Sequence, residues 1–169
     1  MLKKIFILLF LIIAPFNSYA GCDDPIGDGV DYTNCRFSEG QDLEGSYLPN
    51  SNLSFSSFIL VNFNKSIMMN SILAYGTFSE STFLRANLYE ANLQGANFEK
   101  SNFTSSNLTR ANFTGATLIE VNFTNANLME ANFTSANILN ANFEGANLNQ
   151  ATWTDGKKCG QGSIGTCKQ

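Results

Sequence analysis

The chain has no histidine in 169 residues, and only 14% of its residues carry a charge. The first absence excludes Ser/His and Cys/His nucleophile pairs and any metal centre built on imidazole. The second comes with a net charge of −4 and an isoelectric point near 4.7, so there is no basic footprint for nucleic acid. Lys157-Lys158 is the only basic pair outside the N-terminus. Low charge does not mean disorder here, because 44% of the residues are apolar. Acidic clustering is confined to Asp23, Asp24, Asp28 and Asp31. The stretch Asp24 to Gly29 faintly echoes a calcium loop, but Ile26 takes a ligand position and no distal Glu fits, so it reads as a solvated loop. No catalytic residue, metal or cofactor is expected, and the chain does not read as an enzyme.

Long apolar runs are also missing. The single candidate, Ile5 to Ala14, is shorter than the roughly 20 residues needed to span a bilayer. Preceded by Lys3 and Lys4 and followed by Pro15 and the small residues Ser18 and Ala20, it reads as an export signal cleaved after Ala20. There is no twin-Arg pair, which points to general secretion. The expected address is therefore periplasmic or secreted, with no membrane span after cleavage. A rival reading makes Cys22 the lipidated first residue of a lipoprotein. Against it, Tyr19 stands where an aliphatic residue is usual, and lipidation would leave three thiols where four can pair.

What is abundant is a period of five. From Leu43 to Trp153, all 23 positions spaced by five hold Leu, Phe, Met, Ile or Trp. Two residues before each stands Ala, Ser, Gly or Val, with Gln41 the exception. On an α-helix this period smears the apolar positions over every face, and on a flat strand it flips them from side to side. A short extended segment with two inward residues, followed by a turn, keeps them on one side. Asn, Ser and Gly suit such corners.

Coil size follows from the identities of the large residues. At a lag of 20 residues 12 of 19 pairs match, against 5 of 20 at a lag of 15 and 5 of 18 at 25. Phe63, Phe83, Phe103, Phe123 and Phe143 form one column, and Leu88, Leu108, Leu128 and Leu148 another. Four repeats per coil would stack each residue over its like, about 4.8 Å apart. Glu80, Lys100 and Glu120, and likewise Glu90, Arg110 and Glu130, would then form alternating charge ladders, while Lys65 and Arg85 would clash.

The iterated Ala-Asn-Leu/Phe motif from Gln41 to Asp155 resembles the pentapeptide-repeat proteins. The resemblance implies an all-β fold, a right-handed quadrilateral parallel β-helix, here of about six coils. Gly21 to Gly40 reads as an N-terminal cap, with Cys35-Arg36-Phe37 as a first repeat followed by one inserted residue. Residues 156–169 read as a C-terminal cap behind Trp153. In a rod on the order of 25–30 Å long the two cysteine clusters lie at opposite ends. That distance leaves only Cys22 with Cys35 and Cys159 with Cys167 as pairs, since a disulfide needs Cα atoms within about 7 Å. The Asn-x-Thr/Ser triplets are a by-product of the repeat, not glycosylation sites.

Two functional classes follow. Some family members resemble acidic DNA and shield type II topoisomerases, but the export signal and the Asn-rich surface of this chain disfavour that reading. The favoured class is a rigid exported scaffold or protein-binding surface, monomeric because the capped C-terminal end disfavours end-to-end pairing. The candidate partner patch lies where the repeat decays: Tyr47, Phe55, Ile67, Met69, Ile72, Tyr75 and Tyr89. Either a protein partner covers it or the leader folds back over it, and the sequence leaves both open.

Overall fold

Phe103 shows how five residues turn a corner. Its N–H donates to the Asn122 carbonyl of the next coil at 2.8 Å, and its own carbonyl accepts from the Ser106 N–H at 3.1 Å. Between them Ser105 takes φ 58°, the third residue of a tight turn that normally favours Gly or Asn. The next side then starts in the same way. The computed structural model describes residues 21–169, and this unit repeats without interruption over residues 41–155. The proposed export signal, residues 1–20, lies outside the described residues.

Single parallel bridges join residue i to residue i+20 without a break from Asp42↔Asn62 to Asn132↔Thr152. Each coil therefore has four sides, referred to here by their first inward residue: the Leu43, Leu48, Leu53 and Phe58 sides. Every side is too short to bury anything alone. Stacking supplies both its backbone partners and its core, as in other solenoids. Inside, Phe63, Phe83, Phe103, Phe123 and Phe143 stack at 4.6–5.4 Å between ring centres. Neighbouring columns meet edge to face, as Phe98 does with Phe103 at 5.2 Å. Ala or Ser two residues earlier also points inward, and the small side chain lets the coil close. Where it is Ser, the hydroxyl commonly donates to the carbonyl at the preceding corner, as Ser106 does to Phe103 at 2.7 Å.

The ladder also runs back into the leader. Asp31 pairs with Asn52 and Arg36 with Ser57, at a separation of 21 residues, not 20. The inserted residue before Leu43 absorbs the difference. Tyr32 and Phe37 continue the core, Phe37 stacking on Phe58 at 4.2 Å and Tyr32 meeting Phe37 edge-on at 5.1 Å. The Cys22–Cys35 disulfide ties the start of the leader to this coil, with Cys35 buried where Ala or Ser stands in later repeats.

At the other end the tail reverses direction. Asn147↔Ile164 and Thr152↔Lys158 are antiparallel bridges, and Cys159–Cys167 closes the tail into a loop. Tail carbonyls of Ser163, Cys159 and Lys157 accept from the amides of Leu148, Gln150 and Trp153. Trp153 sits against Phe133 and Phe143 at 5.6 and 5.3 Å. Two sides of the last coil are covered in this way.

One charge ladder differs from expectation. Arg110 bridges Glu90 and Glu130 at 3.2 and 2.9 Å, but Lys100 contacts neither Glu80 nor Glu120 and approaches Glu99 of its own coil at 3.9 Å. A guanidinium presents a fork that reaches carboxylates above and below it, whereas an ammonium is one point charge. Lys65 is not left facing Arg85 alone either, because Glu44 meets it at 2.6 Å.

Candidate functional site

Most of the outer surface satisfies itself. Along each ladder an Asn carboxamide oxygen accepts the backbone N–H two residues on, as Asn132 does from Thr134 at 3.0 Å. The same oxygen accepts the Thr134 hydroxyl at 2.7 Å, and the Asn132 amide donates to Thr114 of the previous coil at 3.0 Å. Asn142 and Asn127 repeat the pattern on other sides, donating to Thr124 and Thr109, and Asn112 donates to the Asn92 carboxamide on the same side. These polar rows are bonded to their own neighbours, which solvates the rod without charge and leaves little for a ligand.

The surface changes character between Tyr47 and Tyr89. Tyr47 and Ile67 are bridged on the Leu48 side, Ile72 stands on the Leu53 side, and Phe55 and Tyr75 occupy the corner beyond it. Their exposure runs from 36% for Ile67 to 58% for Phe55, so the leader does not cover them. It stacks on the rod's end instead. Met69 and Tyr89 are half-buried, and Tyr89 accepts a hydrogen bond from Arg110 at 3.0 Å. Leu60, exposed on the following corner, is an addition to the residues expected from the sequence. Its signal was an apolar residue at a corner position.

These corners are unusual for their residue type. Phe55, Leu60 and Tyr75 have φ of 58°, 61° and 60°, a conformation that disfavours bulky side chains. Further along the column that holds Phe55 and Tyr75 stand Gly95, Gly115 and Ser135. The two rings stack at 5.3 Å, and Tyr75 lies over Gly95, where an added Cβ would come within 2.6 Å of the ring. Gln94 donates to the Tyr75 hydroxyl at 3.2 Å. Gly95 thus seats the ring, while Gly115 has nothing within 4 Å of that position. Gly115→Ala should cost about 1–2 kcal/mol for its left-handed backbone alone. Gly95→Ala should cost more and shift the Tyr75 ring resonances in an NMR spectrum, which Gly115→Ala should leave in place.

The clearest pKa shifts belong to ion-paired surface groups. Hydrogen bonds from Tyr89 and Arg110 hold the Glu90 carboxyl below its ordinary range, and Glu130 and Glu90 raise the Arg110 guanidinium. Glu44 is lowered by its hydrogen bond from Lys65. All of these groups are exposed and held as ions. Among the described residues no three His, Cys, Asp or Glu side chains gather as metal ligands, and no helix is long and apolar enough to cross a membrane. Asp28 and Asp31 accept from Asn50 and Thr33.

The pentapeptide-repeat family profile matches eight copies over residues 42–73, 81–118 and 111–150. The chain belongs to the pentapeptide-repeat family. The fold of that family is a right-handed quadrilateral β-helix, and the four-sided parallel coil is its expression here. Full-length QnrB1, a plasmid-mediated fluoroquinolone resistance protein, is similar at 23% identity with a TM-score of 0.68, over 73% of this chain and 65% of that one. A trypsin-treated variant of QnrB1 gives 25% identity and a TM-score of 0.58, over 73% of this chain and 63% of that one. Rfr23, a pentapeptide repeat protein from the cyanobacterium Cyanothece 51142, is 22% identical over 75% of this chain and 86% of that one, with a TM-score of 0.41. The chain thus spans slightly under two-thirds of the QnrB1 structures. No curated protein matches it. Pentapeptide-repeat proteins are generally structural or binding proteins.

Proposed function

We propose that this pentapeptide-repeat protein is an exported, non-enzymatic scaffold that presents the apolar surface between Tyr47 and Tyr75 to a protein partner. The observation that carries the reading is the contrast within one rod. Self-bonded Asn and Thr rows cover most of it, and apart from Leu139 and Ile164 near the tail and Ile26 in the leader, the exposed large apolar side chains are grouped on neighbouring sides and corners near one end. Grouped exposed apolar side chains on a soluble surface mark contact sites. The export segment of residues 1–20 and two disulfides support work in an oxidising compartment, periplasmic or extracellular. The pairing of Cys22 with Cys35 also speaks against lipidation of Cys22.

In this reading the rod has about six coils. The leader and the tail are its caps, shielding core and edge amides at either end. The tail's cover over the Leu148 and Trp153 sides favours a monomer over an end-to-end dimer. A topoisomerase-shielding role is disfavoured by the Asn rows, which put neutral amides where a DNA mimic needs carboxylates.

Ile67→Asp combined with Tyr75→Ala tests the proposal. Both side chains are exposed, so the melting temperature should stay within a few degrees of wild type, while partner capture from the exported fraction should fall at least tenfold. Unchanged capture by the folded variant would refute the patch.

A further inference from the structure

The patch is a ridge, and its shape constrains what it can bind. Ile67 stands on one side of the rod and Ile72 on the next, with Asn70 at the corner between them at φ 57°. Tyr47 extends the first flank toward the leader end, while Tyr75 and Phe55 form the far corner of the second. The apolar residues therefore wrap around a convex edge. Two such edges meet along a line and bury little, so a second copy of this chain is a poor match. A groove in another protein is a good one.

Stability does not account for these residues. Phe55 and Tyr75 are held in a left-handed conformation that disfavours bulky side chains, and their rings stay largely outside the core. Gly95, Gly115 and Ser135 do the same structural work in later coils.

Charge supplies the second constraint. Tyr47, Ile67, Asn70, Ile72 and Tyr75 carry none, but the corner just before Ile67 carries Lys65, with Arg85 in the next coil directly below it in register. Both line a shallow cleft with Asn64, Leu84, Thr104 and Ser105. Glu44 closes the cleft and pairs with Lys65 at 2.6 Å. Among the described residues no carboxylate comes within ion-pairing distance of Arg85. Two cations stacked in adjacent coils with one counter-ion leave room for a second, supplied from outside.

We propose that the ridge docks into the apolar groove of a folded protein whose rim carries an Asp or Glu, and that this carboxylate pairs with Arg85 in the cleft beside Lys65. The proposal rests on the scaffold reading above and adds the partner's shape and charge.

The test uses the full chain, made with its own leader in the cells that produce it, with the photo-crosslinking residue p-benzoylphenylalanine in place of Tyr75. Irradiation followed by mass spectrometry should give a protein adduct mapping to a groove that contains Asp or Glu. The same probe at Thr134, on the Asn-rich surface, should give none. Arg85→Glu should cut the adduct about tenfold while Arg85→Lys retains most of it, since a rim charge acts through its sign. Both Arg85 variants should melt with wild type, because Arg85 is exposed. A protein adduct at position 75 that ignores Arg85→Glu would overturn the carboxylate-rimmed partner and leave the scaffold reading standing. A dimer of this chain, a lipid adduct or no adduct at all would overturn both.

Discussion

Phe103→Ala should destabilise the rod by about 3–5 kcal/mol, the range for emptying a fully buried aromatic site. Phe103 stacks on Phe83 and Phe123 at 4.6 and 5.4 Å and meets Phe98 and Phe113 edge-on at 5.2 and 6.3 Å. The backbone around it is fixed by bonds to coils on both sides, so the site has little freedom to collapse. A solenoid transmits stability only between neighbours, and a hole at this level weakens the link between its two halves. Urea unfolding should show a lower midpoint and a broadened or split transition. Tyr75→Ala, at an exposed ring of similar size, should change the midpoint far less. Equal losses for the two variants would mean that the Phe columns do not hold the rod together.

The second large effect belongs to the tail. Replacing both Cys159 and Cys167 with serine should cost about 2–3 kcal/mol for a loop with a sequence separation of 8. The loss should be local. Released from its staple, the tail frays, and the amides of Leu148, Gln150 and Trp153 lose the carbonyls of Ser163, Cys159 and Lys157. Hydrogen exchange at those amides should accelerate by orders of magnitude while Leu108 and Phe103 keep their protection. The bared edge is a template for pairing, so the variant should also associate at concentrations where wild type stays monomeric in light scattering. If Leu148 remained protected and the variant monomeric, the tail would not be acting as a cap.

Much of this was legible in the residues because a solenoid translates sequence period directly into geometry. The five-residue spacing named the inward side chains, the matches at 20 residues named the stacking partners, and the remoteness of the two ends left one disulfide pattern. Legibility failed where the period did. Tyr32 is a core residue, yet the inserted residue before Leu43 puts it out of step with the count from Leu43 onward. Lys100 shows a different limit, since register brings charged residues into adjacent coils without fixing where a flexible ammonium points. At the candidate site the sequence identified Tyr47, Phe55, Ile67, Ile72 and Tyr75. It did not say whether the leader covered them, because that depends on whether the leader stacks on the end or folds along the side. Leu60 escaped because it stands at the corner after the Phe58 side, beyond the Leu48 and Leu53 sides where the repeat visibly decays.

In the proposed reading, coils far from the ridge are scaffold and the ridge is the site. Removing residues 121–140, one whole coil, tests it most directly. Phe103 would then stack on Phe143, Leu108 on Leu148 and Asn102 beside Asn142, so every column stays in register and both disulfides are kept. The shortened rod should unfold cooperatively and give the same photo-crosslinked adduct from position 75, in the same yield, as the full-length protein. A folded deletion variant that had lost that adduct would contradict the account.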